Sequence, residues 1–112
     1  MKSGEVTRDN DRRIFERVNV GLPVTVLVSG TDVEFDGESC DVSARGLGVV
    51  CGRAADIGSA VEVWLKMHSR KDPFYTRGIV SWTRALDDGK QRLGIVFEKT
   101  QLMGLSAVLR LA

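Results

Sequence analysis

The chain has 112 residues, with 16 Lys plus Arg against 15 Asp plus Glu and a formal net charge of +1. That length is one domain, large enough to bury a core without disulfides or metals. The charge balance excludes a protein that coats nucleic acid or an anionic membrane by bulk electrostatics. With 43% hydrophobic and 28% charged residues, the composition is that of a globular chain and not a disordered one. The basic set is 11 Arg to 5 Lys, a bias toward planar, bidentate recognition of anions and base edges.

Residues 1 to 17 (MKSGEVTRDNDRRIFER) hold five basic and four acidic residues and few apolar ones. They are expected to form a flexible N-terminal arm that joins the fold near Phe15 and Val18, ahead of a domain spanning 18–112. Leu22 to Ser29 is a β-branched run with Pro23 near its start, followed by the turn signal Ser29-Gly30-Thr31-Asp32. Val33 to Phe35 reads as a short edge strand, closed by the hairpin dipeptide Asp36-Gly37. Glu38 to Ser43 and Leu47 to Cys51 read as two further strands around Ala44-Arg45-Gly46. In Ala60 to Met67, apolar Val61, Val63 and Leu65 alternate with Glu62, Trp64 and Lys66. Residues 68–74 form a connecting loop. Tyr75 to Arg84 and Gln91 to Glu98 are strands joined by Asp87-Asp88-Gly89. Thr100 can cap a helix over about 100–111, with Leu102, Leu105, Val108 and Leu109 on one face. The expected fold is therefore mainly all-β: a small antiparallel barrel of six to seven strands with a C-terminal α-helix packed on it.

Catalytic and metal chemistry find little footing. HExxH, GxSxG and Walker loops are absent from the sequence. Gly46, Gly48 and Gly52 fall short of a dinucleotide fingerprint and lead into a strand. One histidine, His68, and two cysteines cannot complete a four-ligand structural zinc site without carboxylates. Cys40 and Cys51 lie in apolar strand-like runs and are read as buried free thiols of a reducing compartment. With no run of 18 apolar residues and no signal segment, the expected location is the cytoplasm, without membrane insertion.

Two short motifs carry the functional signal. Arg12-Arg13-Ile14-Phe15-Glu16-Arg17 contains R-x-x-x-R preceded by a further arginine. Asp41-Val42-Ser43-Ala44-Arg45-Gly46 is a D-x-S-x-x-G run at a strand-to-turn junction. Taken singly, the first is a charged arm paired with Asp9, Asp11 and Glu16, and the second an Asp and a Ser that satisfy a turn. In this order, 24 residues apart, they resemble the two motifs of the PilZ domain family of bacterial receptors for cyclic di-GMP. The opening strand LPVTVLV, the late strands Arg77-Gly-Ile-Val-Ser-Trp82 and Arg92-Leu-Gly-Ile-Val-Phe97, and the closing helix extend the resemblance over about residues 11 to 111.

The resemblance implies a non-enzymatic receptor or adaptor that binds cyclic di-GMP, needs no cofactor, changes conformation on binding and signals to a protein partner. The site residues it implies are Arg12, Arg13, Arg17, Asp41, Ser43 and Gly46. Residue chemistry agrees: guanidinium forks match guanine O6/N7 and phosphate oxygens, and a carboxylate accepts from the guanine N1–H and N2–H₂ edge. Asp41 and Ser43, two apart on a strand, share an outer face, while Cys40 and Val42 point into the core. Arg12, directly before R-x-x-x-R, resembles members that take a stacked pair of nucleotides. Trp82 is read either as packing in the barrel core or rim with Val80, or as a ligand contact that stacks on a base. Trp64 alternates with the apolar positions of its strand and is read on the outer face, either as a partner contact or as packing under the C-terminal helix. The alternatives are an OB-like nucleic-acid-binding barrel using the loop aromatics Phe74 and Tyr75, or a PilZ-like protein-interaction module without ligand binding. The chain is either a stand-alone adaptor or a piece of a longer one.

Overall fold

The computed structural model describes residues 17–53, 55–68 and 71–99. The expected arm up to Glu16, with Arg12 and Arg13, and the expected helix over 100–111 lie outside them. Six antiparallel strands make one closed barrel: β1 (Pro23–Val28), β2 (Glu34–Ser43), β3 (Gly46–Cys51), β4 (Ala60–Leu65), β5 (Phe74–Ala85) and β6 (Gln91–Phe97). Around the barrel the order is β1-β2-β3-β6-β5-β4, and β1 pairs with β4 to close it. Closure removes the exposed edges an open sheet of this size would carry.

The alternation read from β4 is realised directly. Val61, Val63 and Leu65 are fully buried, and Val24, Val26, Leu47, Val49, Leu93 and Ile95 meet them from the other strands. Residues alternate sides along a strand, so the intervening positions of β4 and β5 face outward, Trp64 and Tyr75 among them. Those two rings pack at 5.2 Å between centroids, and the Tyr75 hydroxyl donates to Glu62 Oε1 at 2.7 Å. That hydrogen bond to a carboxylate pushes the Tyr75 phenol pKa up. Phe74, expected in a loop, opens β5 and is buried against Phe97, so it offers no surface platform.

The hairpin expected at Asp36-Gly37 is not formed. β2 runs straight through both residues as a ten-residue strand, with Asp36 paired to Thr25 and Gly37 to both Val24 and Cys51. Gly37 serves close approach: a Cβ there would lie 2.6 Å from the Val50 carbonyl oxygen. The reversal comes earlier, at Gly30, whose φ of 76° suits a residue without a Cβ.

Cys40 also departs from its expected place. Phe35, Gly37 and Ser39 face one side of β2, and strict alternation would send Asp41 to that same side. A β-bulge between Ser39 and Asp41 inserts Cys40 as an extra residue and resets the phase. Val42 is then fully buried in the core and Asp41 sits on the outer side. Cys40 does not point into the core: it is half-buried, and its Sγ lies beside Asp41 against Gly48. Cys51 is buried as expected, and burial pushes its thiol pKa up.

Candidate ligand-binding site

The site is built on the outer face of β2, β3, β6 and β5, where two bulges converge. The bulge at Cys40 turns Asp41 outward. A second, between Val80 and Trp82, does the same for Trp82, which pairs with Gly94 while Val80 stays in the core. Trp82 thus does not join the core. It lies half-buried over β6, so close to Gly94 that a Cβ on that residue would overlap the indole ring.

Across these strands Asp41 pairs with Gly48, Gly48 with Gly94, and Gly94 with Trp82. Two glycines therefore lie between a carboxylate and an indole. Gly48 leaves room for Asp41, whose Oδ1 would stand 3.0 Å from a Cβ there. The result is a shallow platform with a charged side chain at one end and an aromatic ring at the other. An open groove of about 520 Å³ runs beside it, lined by Asn19, Val20, Glu38, Cys40, Val50 and Lys90 among others. The carboxylate and the indole stand outside that groove, on the open barrel face.

Backbone hydrogen bonds fasten the base of the N-terminal segment here. Val18 N–H donates to Val42 O at 2.8 Å, and Val42 N–H donates back to Val18 O at 2.9 Å. This bridge places Arg17 directly over Asp41, and Arg17 Nη1 lies 2.8 Å from Asp41 Oδ1. The same oxygen accepts from Gly48 N–H at 2.9 Å. Asp41 Oδ2 faces Arg92 Nη2 at 3.3 Å. The Asp41 side chain is 11% exposed, bracketed by two guanidinium groups. Two arginines against one carboxylate leave one positive charge over, which favours an anion. The Arg92 guanidinium also stands 5.9 Å from the centre of the Trp82 ring, within reach of a cation–π contact.

Of the residues singled out by sequence, Arg17, Asp41, Ser43, Gly46 and Trp82 fall on this face or at its rim. Ser43 is buried and works on its own turn: its hydroxyl accepts from Arg45 N–H at 3.2 Å and reaches Gly46 O at 3.4 Å. Gly46 is needed because β6 presses against it, and a Cβ there would collide with the Ile95 carbonyl oxygen. Sequence reasoning missed Arg92, Gly48 and Gly94. Alternation in QRLGIVF could have put Arg92 and Gly94 outside, since Leu93, Ile95 and Phe97 are apolar. Nothing in the sequence sets the register that brings Arg92 to Asp41. Among the described residues no cluster of His, Cys, Asp and Glu could hold a metal ion, and no helix is long and apolar enough to cross a membrane.

Comparison with known proteins places the chain in a family. The model of the PilZ domain matches residues 11–111, nearly the whole chain, including both motifs. The chain belongs to the PilZ domain family. Solved structures share the architecture. The inhibitor of motility MotI/DgrA of Bacillus subtilis superposes with a TM-score of 0.67 at 17% identity, over 87% of this chain and 47% of that one. This PilZ domain therefore spans about half the length of that protein. The PilZ domain of CeSA from a cellulose-synthesizing bacterium gives 0.60 at 17% identity, over 86% of this chain and 93% of that one. The PilZ domain of YcgR from Escherichia coli, solved with c-di-GMP, gives 0.64 at 14% identity, over 88% and 92%. At these identities the likeness is one of fold. No curated protein matches the sequence.

Proposed function

We propose that this PilZ domain is a receptor for cyclic di-GMP, in which nucleotide binding rearranges the N-terminal arm over the barrel face and alters the surface offered to a protein partner. The single observation that carries the reading is the Arg17–Asp41–Arg92 cluster beside Trp82 on the barrel's outer face, in which one residue from each of the two motifs meets Arg92 of β6. It combines what a guanine nucleotide needs: guanidinium donors for phosphate or guanine O6/N7, a carboxylate for the N1–H and N2–H₂ edge, and an indole for stacking. Arg13 and Arg12, farther along the same segment, would supply further guanidinium groups, Arg12 for a second stacked nucleotide. Ser43 and Gly46 serve by holding the turn that carries Asp41.

The reading gives each part a role. Asp41 is already occupied by Arg17, so the nucleotide's guanine edge and Arg17 must exchange partners as it binds. That exchange couples the ligand to the arm, since Val18 is anchored to β2 one residue away. Ordering a charged segment by new charge-assisted bonds is a known form of switch. No step in it breaks a covalent bond, and the domain acts as a binding module.

Chemical-shift mapping with cyclic di-GMP tests this reading. The Trp82 indole N–H and the backbone amides of Asp41, Gly48 and Gly94 are expected to move, while the Trp64 indole stays in place on β4. Shifts confined to Trp64 and Tyr75 would place binding elsewhere. A nucleic-acid-binding barrel would instead give a gel shift with single-stranded oligonucleotides at moderate salt.

A further inference from the structure

Arg92 belongs to neither family motif, yet among the described residues it carries the buried side-chain nitrogen, Nε, that is left without a hydrogen-bond partner. On a guanidinium, Nε–H and one Nη–H project side by side and form a fork that matches the two oxygens of a carboxylate. In Arg92 this fork is half used: Nη2 makes a long 3.3 Å contact to Asp41 Oδ2 and Nε makes none. Asp41 is held off by its other partners, since Oδ1 is committed to Arg17 at 2.8 Å and to Gly48 N–H at 2.9 Å. Trp82 stands beside the Arg92 guanidinium, and the side chain is only 30% exposed, so the fork stays on the platform.

From this geometry we infer that Arg92 is a positioning residue, a barrel-borne counter-ion that keeps Asp41 in place while Arg17 leaves it for the ligand. When Arg17 withdraws, the Asp41 carboxylate turns toward Arg92 and closes the fork through Nε. The buried carboxylate, its side chain 11% exposed, then keeps a positive partner on the barrel while the guanine edge approaches. Arg17 and Arg92 divide the work: the arm arginine exchanges, the barrel arginine stays. A side chain on loan from the arm could not perform both roles, because its movement is the signal.

The inference rests on the nucleotide-binding reading, and two experiments separate the failure of one from the failure of the other. Without ligand, the Arg92 Nε–H resonance of the full chain should move downfield in Arg17→Ala, as Nε gains its acceptor, and the shift should vanish when Asp41→Asn is added. An unmoved Nε–H in Arg17→Ala overturns the positioning role whether or not the protein binds a nucleotide. With cyclic di-GMP, Arg92→Ala should weaken binding about tenfold or more in the wild-type background, but less than about threefold in Asp41→Asn, where no carboxylate remains to be held. Arg92→Lys keeps the charge, loses the fork and should fall nearer to Arg92→Ala than to wild type. Equal losses in both backgrounds would mean that Arg92 acts independently of Asp41, and no loss in either would mean that it does not serve the site.

Discussion

Replacing Arg13 and Arg17 together by alanine is expected to remove cyclic di-GMP binding while leaving the ligand-free melting temperature within a few degrees. Charge-assisted hydrogen bonds contribute about 1.5–3 kcal/mol each, so losing two guanidinium anchors should cost roughly a hundred- to ten-thousand-fold in affinity. Stability is spared for a different reason. The Arg17 side chain is 57% exposed, and such pairs contribute only about 0–1 kcal/mol to folding. Asp41 also keeps Gly48 N–H and Arg92 when Arg17 is gone. Asp41→Ala should behave differently. It strands the Gly48 N–H and Arg92 inside the fold as well as the guanine donors, so the melt and the affinity should fall together. Calorimetric binding and thermal denaturation of both variants separate these outcomes. Undiminished binding by the double arginine variant would mean that the platform is not the site.

The largest effect on folding within the D-x-S-x-x-G run should come from Gly46→Ala. Gly46 opens β3 directly against Val96 of β6, and an added Cβ meets the backbone oxygen of Ile95, which no side-chain rotation can relieve. The two strands must separate at the point where Phe97 N–H also bonds the Arg45 carbonyl. Overpacking of this kind costs about 1–3 kcal/mol, and more where backbone must move. For a domain of this size that lowers Tm by on the order of 10 °C. Gly52→Ala is the control: nothing lies within 4 Å of a Cβ at that position, so thermal denaturation should show almost no change. If Gly46→Ala melted like wild type but failed to bind, Gly46 would be a direct ligand contact, and its place against β6 would be incidental.

Much of this architecture was legible in the chain. The alternation of Val61, Val63 and Leu65 gave β4 its inward face, and turn dipeptides divided the rest into strands of about the right length. The errors have a common physical origin. Asp36-Gly37 has the composition of a hairpin, but Gly37 is required by the crowding of β3 against β2, a tertiary constraint with no local signature. Both bulges are equally silent. The phase of β2 changes at Cys40 and that of β5 next to Trp82, so Cys40 came out of the core, and of the two readings of Trp82 the one outside the core is realised.

The candidate site followed the same rule. Arg17 and Asp41 were found through the spacing and types of the two motifs, and the ion pair between them joins residues that the motifs had only listed in order. Ser43 was read from the motif as a ligand contact, and in the fold its hydroxyl bonds the turn backbone. Arg92 lies 51 residues from Asp41 and enters only through the β3–β6 register, which depends on how the barrel closes. Chemistry contributed by a single segment can be read from that segment. A residue contributed by a strand register becomes visible only when the strands are paired.

The arm and this barrel face together are expected to bind cyclic di-GMP, and a calorimetric titration of the nucleotide into the full chain tests this most directly. Saturable binding that disappears in the Arg13→Ala/Arg17→Ala variant is the expected result, with a stoichiometry of two nucleotides per chain if Arg12 serves a stacked pair and of one if it does not. No saturable heat up to about millimolar nucleotide, where binding free energy falls to about 4 kcal/mol, would contradict the account.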